Sequence, residues 1–497
     1  MLATTKWWVF FATALAIVMV DVDITAVNLA LTTIEQDLAI QMSTVQWIID
    51  GYMIAAAALM AFSGKISDIL GHKRVFLFGL AFFLLASIIV GVAYTPGMLI
   101  LGRILQGSCI AFTFPISMVI LRSVFPQDQQ GFAIGLMVAI AGFAQALGPT
   151  FGGIIIQFLN WRYIFYINIP LSISAFLIAY ITIPHSNLVK QKIPKNMSVV
   201  ILFITGLLMI MTALNEIGRW GASSVAFLSM LSIGIILTGI FTIIEYGASN
   251  PILDLHLLAK RNFCLLNIVR IILNFVYFAL LFTLSLFLQN IMGYSAIQAG
   301  FILLCLTLVF GVVSIPAGKL VDKIGVKKLC EWGMLLLGLS CLLFSTVTIN
   351  LSPDIVIIAL VLAGIAIGLS IPASGTAVLF TAPMDKLGSA MGIFFTTSFI
   401  GSSLGVAISG LMLQILSKCK LDLLLAKSHT ALTSIQYDKL QAMASGVSPI
   451  GNTGDLFTFN AIATSAFTFS FALIMILCAL LSLISVFLMK KIEIKSS

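Results

Sequence analysis

Charge is scarce in this chain of 497 residues: Asp, Glu, Lys and Arg make up 9% of it, while 60% is hydrophobic. Water-soluble domains carry about a quarter charged residues, and a chain this poor in charge could not cover its own surface in water. A soluble enzyme, a disordered tail protein and a nucleic-acid binder are thereby excluded. Histidine is thin as well. His72, His185, His256 and His429 are scattered, without HExxH, so neither catalytic residues nor metal ligands are expected. The seven cysteines form no CxxC and mostly fall inside apolar runs, where they read as small buried residues. Neither Gly64-Lys65 nor Gly318-Lys319 has a glycine five positions before its own glycine, so the phosphate loop of an ATP-driven pump is missing too.

What the chain has is length without charge. Its apolar runs are about 20 residues long, enough to cross a hydrocarbon core of roughly 30 Å as helices. They do not alternate, as barrel strands would. The first run follows Lys6 but carries Asp21 and Asp23 and no clear cleavage site, so it reads as a retained span rather than a signal peptide. Fourteen spans are expected, from 8–30 to 462–489, in an all-α integral membrane protein. An even number puts both termini on one side. Of the 26 Lys and Arg, 18 fall on that side, six on the other, and Arg103 and Arg270 lie within spans. Basic residues collect inside, so the termini are expected in the cytoplasm.

The sequence also repeats itself. Gly64-Lys-Ile-Ser-Asp68-Ile-Leu-Gly71-His-Lys73-Arg74 returns at an offset of 254 as Gly318-Lys-Leu-Val-Asp322-Lys-Ile-Gly325-Val-Lys327-Lys328. Gly107, Pro115, Asp128, Gly131, Gly135 and Gly148 return at an offset of 257 as Gly364, Pro372, Asp385, Gly388, Gly392 and Gly405. A duplicated six-helix unit is the architecture of secondary transporters, with a site between the halves. Residues 1–188 are assigned to the first bundle and 259–497 to the second, which carries a long outer loop at about 417–460. The stretch 189–258 has no partner in the repeat and supplies two additional spans. Within the outer loop, Leu421–Met443 is amphipathic and is expected to cap the outer mouth as a short helix.

These motifs resemble the major facilitator superfamily, in particular its branch of fourteen-span drug:proton antiporters. The loop 64–75 is similar to the superfamily's signature loop. Leu99-Ile-Leu-Gly-Arg103-Ile-Leu-Gln106-Gly107 is similar to its span-four motif linked to proton coupling, with Cys109 where glycine is common. Gly135, Ala144, Gly148-Pro149 and Gly152-Gly153 resemble the antiporter motif of span five, with Ala144 in place of one glycine. Asp23-Ile-Thr25-Ala-Val-Asn28 and Trp161-Arg162 through Asn168-Ile-Pro170 resemble motifs of the fourteen-span branch. The resemblance implies two six-helix bundles plus two extra helices. It also implies efflux by alternating access, and a cytoplasmic latch built from Gly64, Asp68, Gly71, Lys73, Arg74, Gly318, Asp322 and Gly325. Asp68 could meet Lys73–Arg74 or the positive end of a neighbouring helix.

Ionisable groups within spans are costly in lipid and functional by default. Asp23 lies 15 residues beyond Trp8, roughly 22 Å along the helix; Asp50 and Arg103 fall at similar depth. Asp23 and Arg103 are expected to couple protons. Asp50, Asp21, Asn28 and Gln145 are expected to meet the substrate. Asp21 and Asp23 point about 200° apart on one helix, so both cannot face one cavity equally. Arg270 is as compatible with snorkelling to the interface as with substrate contact. Gln106, Asn267, Asn274, Tyr277 and Gln289 are as compatible with helix–helix bonds as with a cavity.

The function expected is export of small lipophilic, cationic compounds driven by the proton gradient, with no cofactor. A dedicated exporter of one metabolite or siderophore is the alternative. The partners are substrate, protons and lipid, with no nucleic acid. A monomer is expected in the plasma membrane, which is the inner membrane if the cell has two, and a periplasmic adaptor is left open.

Overall fold

A computed structural model describes residues 3–38, 42–184, 197–221, 223–248, 251, 255–294, 296–346, 353–428, 434–446 and 457–493. Among them there is no strand. The α-helices are α1 (Ala3–Leu38), α2 (Met42–Leu70), α3 (His72–Gly91), α4 (Pro96–Ala111), α5 (Phe114–Val124), α6 (Gln130–Phe158), α7 (Tyr163–Tyr166), α8 (Asn168–Thr182), α9 (Met197–Trp220) and α10 (Val225–Tyr246). They continue as α11 (Leu255–Ala259), α12 (Arg261–Leu286), α13 (Ala296–Ile324), α14 (Val326–Ser345), α15 (Pro353–Thr381), α16 (Leu387–Ser428), α17 (Ser434–Ala444) and α18 (Phe457–Lys490). Among the described residues, twelve segments are long and apolar enough to cross a membrane. One joins α4 to α5, with a break at Phe112–Thr113 just before Pro115, whose ring nitrogen cannot donate.

Local chemistry fixes the helix ends. The Thr95 hydroxyl accepts from the Met98 amide at 3.3 Å, and Pro96 occupies the first turn of α4. Gly71 and Gly325, the second glycines of the duplicated loop, precede α3 and α14 with φ of 97° and 90°. A side chain is strained there, which is why both copies keep glycine.

Small residues set the helix contacts, since lipid supplies no hydrophobic drive between helices and close packing must do the work. A methyl on Gly64 would stand 2.0 Å from the Gly388 carbonyl oxygen, and one on Gly318 would stand 2.4 Å from that of Gly131. These two contacts are related by the repeat offsets, so α2 crosses α16 as α13 crosses α6. A methyl on Gly135 or Gly392 would be 2.5 Å from the carbonyl of Ser314 or Met60, another matched pair. Gly148 and Gly152 lie against Thr25 and Ala26 of α1, with Gly153 half-buried beside them. Pro149 is within α6, its side chain outside the description.

Helix α9 covers the seam between α2 and α16. Leu207 and Met211 pack on Ile54, Ala57 and Ala58, with Phe399 and Ile400 alongside. Helix α10 lies outside α9 and leaves Ile233, Ile235, Ile236, Ile240 and Ile243 exposed, a face suited to lipid.

One expectation is corrected. Residues 421–443 do not form one capping helix. Helix α16 runs 42 residues to Ser428, about 63 Å at 1.5 Å per residue and roughly twice a bilayer core. A separate α17 folds back on it. Leu421, Leu440, Met443 and Ala444 close a small core with Ala463 and Ala466 of α18, and the Tyr437 hydroxyl donates to Asp422 at 2.6 Å. Two apolar faces that bury each other gain more than one face laid on a polar mouth.

Candidate functional site

A cavity of about 550 Å³ lies between α1, α2, α4–α6, α12, α13, α15 and α16. That volume suits a drug-sized molecule. Its wall is mostly apolar, with Met53, Met60, Met118 and Met391 among several phenylalanines, including Phe310 and Phe394. Methionine and aromatic side chains adapt to varied shapes. Asp21, Asp50 and Arg270 bring charge to this wall, and Gln145, Asn274 and Tyr277 bring polarity.

Asp21 is 3% exposed and receives one hydrogen bond, from Gln145 Nε2 at 3.1 Å. Among the described residues its Oδ2 has no hydrogen-bond partner. A bare carboxylate oxygen against apolar groups is costly unless it carries a proton or meets a cation. Thr25, one turn on, lines the same wall while its hydroxyl donates to the Asp21 carbonyl at 2.8 Å. Asn28 continues the stripe, but its side chain lies outside the described residues.

Asp23 points elsewhere. Its carboxylate pairs with Arg103 Nη1 at 2.5 Å and accepts from Asn168 Nδ2 at 2.8 Å, so both oxygens are occupied. Arg103 also donates to Gln106 at 3.0 Å and to the Ile48 carbonyl at 3.0 Å. Gln106 in turn donates to Ser87 at 2.8 Å. Tyr52 separates the two sites: its ring covers the Arg103 guanidinium at 4.0 Å, and the residue lines the cavity. Asp23, Asp50 and Arg103, expected at similar depth, therefore divide: Asp50 joins Asp21 on the cavity, while Asp23–Arg103 lies behind Tyr52.

Arg270 is buried at 6% exposure and does not snorkel. Nε donates to Ser398 at 2.7 Å, Nη1 to Ser374 at 3.3 Å, and the guanidinium lies 4.6 Å from the Phe394 ring centre. Asn274 and Tyr277 reach the cavity wall as well. Asn267 instead donates to the Phe263 carbonyl and accepts from Thr397, and Gln289 donates to Ser285, so both bind helices. The signal for Arg270 was available. It is a cation well inside an apolar run, with no carboxylate within a helical turn of it in sequence.

At the end of the bundle that carries the termini, Asp68 meets a helix rather than the basic cluster. It accepts from the Gly388 and Ser389 amides, both at 2.8 Å, and from the Ser389 hydroxyl at 2.7 Å. These amides are among the first N–H groups of α16, which lack partners within the helix. Lys73 donates instead to the Tyr180 carbonyl at 2.7 Å, and Arg74 is exposed. Asp322, the repeat equivalent of Asp68, has its side chain outside the described residues. At the opposite end Arg162 and Trp161 Nε1 bind Asp37 at 2.8 and 3.0 Å.

A polytopic helical protein whose halves cross at matched glycines around a central cavity is a membrane transporter. The chain belongs to the Major Facilitator Superfamily, whose family model matches residues 11–259 and 264–418. It is 27% identical over 409 residues to the tetracenomycin C resistance and export protein of Streptomyces glaucescens, covering 82% of this chain and 76% of that protein. It is 30% identical over 398 residues to the multidrug transporter protein MdtP of Bacillus subtilis, covering 79% and 72%. It is 27% identical over 405 residues to the riboflavin transporter RibZ of Clostridioides difficile, covering 81% and 87%. The crystal structure of the human organic anion transporter MFSD10 superposes with a TM-score of 0.62 at 14% identity, over 97% of this chain and 99% of that one, a likeness of fold.

Proposed function

We propose that the protein is a proton-coupled exporter of small lipophilic compounds, including cations, working by alternating access around the central cavity. The observation that carries this reading is Asp21: a buried carboxyl with one oxygen that has no partner among the described residues, set in an apolar cavity of drug size. A proton and a cationic substrate would compete for that oxygen. Binding of one then releases the other, which is the linkage antiport needs. Resistance and export proteins among the relatives support the direction.

On this reading the chain has fourteen spans. Helices α6 and α9, of 29 and 24 residues, join the twelve apolar segments. The first bundle is 1–188, the additional pair 189–258 and the second bundle 259–497, with both termini in the cytoplasm of a plasma-membrane protein. Asp50 serves cations near the outer mouth. Asp23–Arg103 is the second candidate for the proton, reached when Tyr52 moves.

The test is substrate-induced proton release from detergent-solubilised protein, using ethidium as the cation. Asp21→Asn should remove most of the release, while Asp23→Asn should leave more of it. Full release in Asp21→Asn with none in Asp23→Asn would transfer the role to Asp23. Full release in Asp21→Asn, Asp23→Asn and Asp50→Asn alike would end the reading. The riboflavin-transporter relative favours the alternative of a dedicated exporter; competition by one compound class alone would select it.

A further inference from the structure

The cavity has two charged ends, and acids on α1 and α2 account for only one. Arg270 faces the same space from α12. Among the described residues no carboxylate pairs with it, and its contacts are two serine hydroxyls and a ring. Both serines already donate their protons to backbone carbonyls, Ser398 to Phe394 and Ser374 to Ile371, so they can only accept from the guanidinium. A guanidinium offers five N–H donors in a planar fork. These hydroxyls engage two of them, and neither brings a negative charge.

The level of Arg270 can be read from its own helix. Tyr277 lines the cavity 16 residues into α12 and Asp21 lies 18 residues into α1, and both helices start at the end that carries the termini, which sets the two near one level. Arg270 lies seven residues before Tyr277, about 10 Å along the axis toward the end that carries the termini. Phenylalanines and methionines fill the wall between.

We infer that Arg270 anchors an anionic group of the substrate, so that the cavity prefers elongated aromatic zwitterions. The acidic group sits on the Arg270 fork, the rings lie among the apolar side chains, and a basic or hydrogen-bond-donating end faces Asp21. A buried cation without a counterion is costly; an oxyanion of the substrate supplies the missing charge, bidentately and with Phe394 beneath. This rests on the cavity being the export site proposed above. It adds a requirement that lipophilic cations alone do not meet.

The probes are rhodamine B, a xanthene zwitterion with a free carboxylate, and its ethyl ester, which keeps the delocalised cation and loses the anion. Binding of each to purified full-length protein is measured by fluorescence anisotropy, and uptake by proteoliposomes under an imposed pH gradient. The wild type should bind rhodamine B about tenfold tighter than the ester. Arg270→Gln should erase that ratio through loss of rhodamine B binding alone, and Arg270→Lys should restore part of it. If Arg270 only ties α12 to α15 and α16, or meets Asp21 or Asp50 in another conformation, Arg270→Gln weakens both dyes by one factor. That result, or a wild type that binds the ester as tightly as the zwitterion, overturns the inference and leaves the export reading standing. A wild type that binds and moves neither dye overturns both.

Discussion

Asp68 lies 320 residues before Gly388 in sequence, yet its carboxylate accepts the Gly388 backbone amide at 2.8 Å and closes α2 onto the start of α16. With the two bonds from Ser389, one side chain holds three donors of the opposite half. Hydrogen bonds to a charged group contribute about 1.5–3 kcal/mol each. Asp68→Asn keeps the shape, loses the charge and leaves an amide facing a donor. Transport should fall at least tenfold with expression near normal, and a cysteine pair across α2 and α16 should cross-link more slowly. Normal transport and cross-linking would reduce the contact to a topology signal.

The glycine crossing gives a sharper steric test. Gly64→Ala would put a methyl 2.0 Å from a backbone oxygen that cannot swing away, so the closed contact should be lost. Gly300→Ala meets nothing within 4 Å and should be neutral or slightly stabilising, by up to about 1 kcal/mol. Thermal unfolding and transport of the two variants decide the matter; equal behaviour would mean the crossing is loose.

The Asp23–Arg103 pair should answer through stability. Arg103→Ala leaves a buried carboxylate with Asn168 as its remaining partner, a change that costs about 3–5 kcal/mol in buried pairs. Its unfolding temperature should drop clearly below that of Asp21→Asn, which removes a charge from a side chain holding one weak partner. Fluorescence-detected size-exclusion chromatography after heating measures both. The reverse order would mean that Asp21 is the structural acid.

The Asp37–Arg162 tie should not set the pH dependence of transport. The hydrogen bond from Arg162, followed by that from Trp161, holds the Asp37 carboxyl below its usual value near 3.8. A lowered carboxyl stabilises the fold above its unfolded value, and that contribution is lost only as the pH falls through the still lower folded one. Between pH 5 and 8 the tie is therefore constant, and screening keeps so exposed a pair weak. Asp37→Asn should keep the wild-type shape of efflux against outer pH. A shifted profile would place a titrating group at this end.

Orientation follows from single cysteines placed in a cysteine-free background. Positions 74 and 439 are both exposed and lie at opposite ends of the helix bundle. A membrane-impermeant maleimide applied outside intact cells should label Lys439→Cys and spare Arg74→Cys until the membrane is opened. Labelling of Arg74→Cys from outside would invert the assigned topology.

Much of this protein was legible in one dimension. Scarcity of charge and the length of the apolar runs required membrane helices, because unpaired backbone groups cannot be left in lipid. The offsets of 254 and 257 revealed a duplication, and three of the glycine pairs that carry them, 64/318, 131/388 and 135/392, meet at the α2–α16 and α6–α13 crossings. Helical geometry also stated that Asp21 and Asp23 must face apart. It could not say which faces the cavity, because that depends on how α1 is rotated against α6 and α8. Gly148 admits Thr25, Asn168 reaches Asp23, and Asp21 is thereby turned inward. The helix that Asp68 meets and the serines that hold Arg270 were equally beyond the sequence. Both depend on contacts between residues more than a hundred positions apart, where local pattern carries charge and spacing but not the rotation and approach of one helix on another.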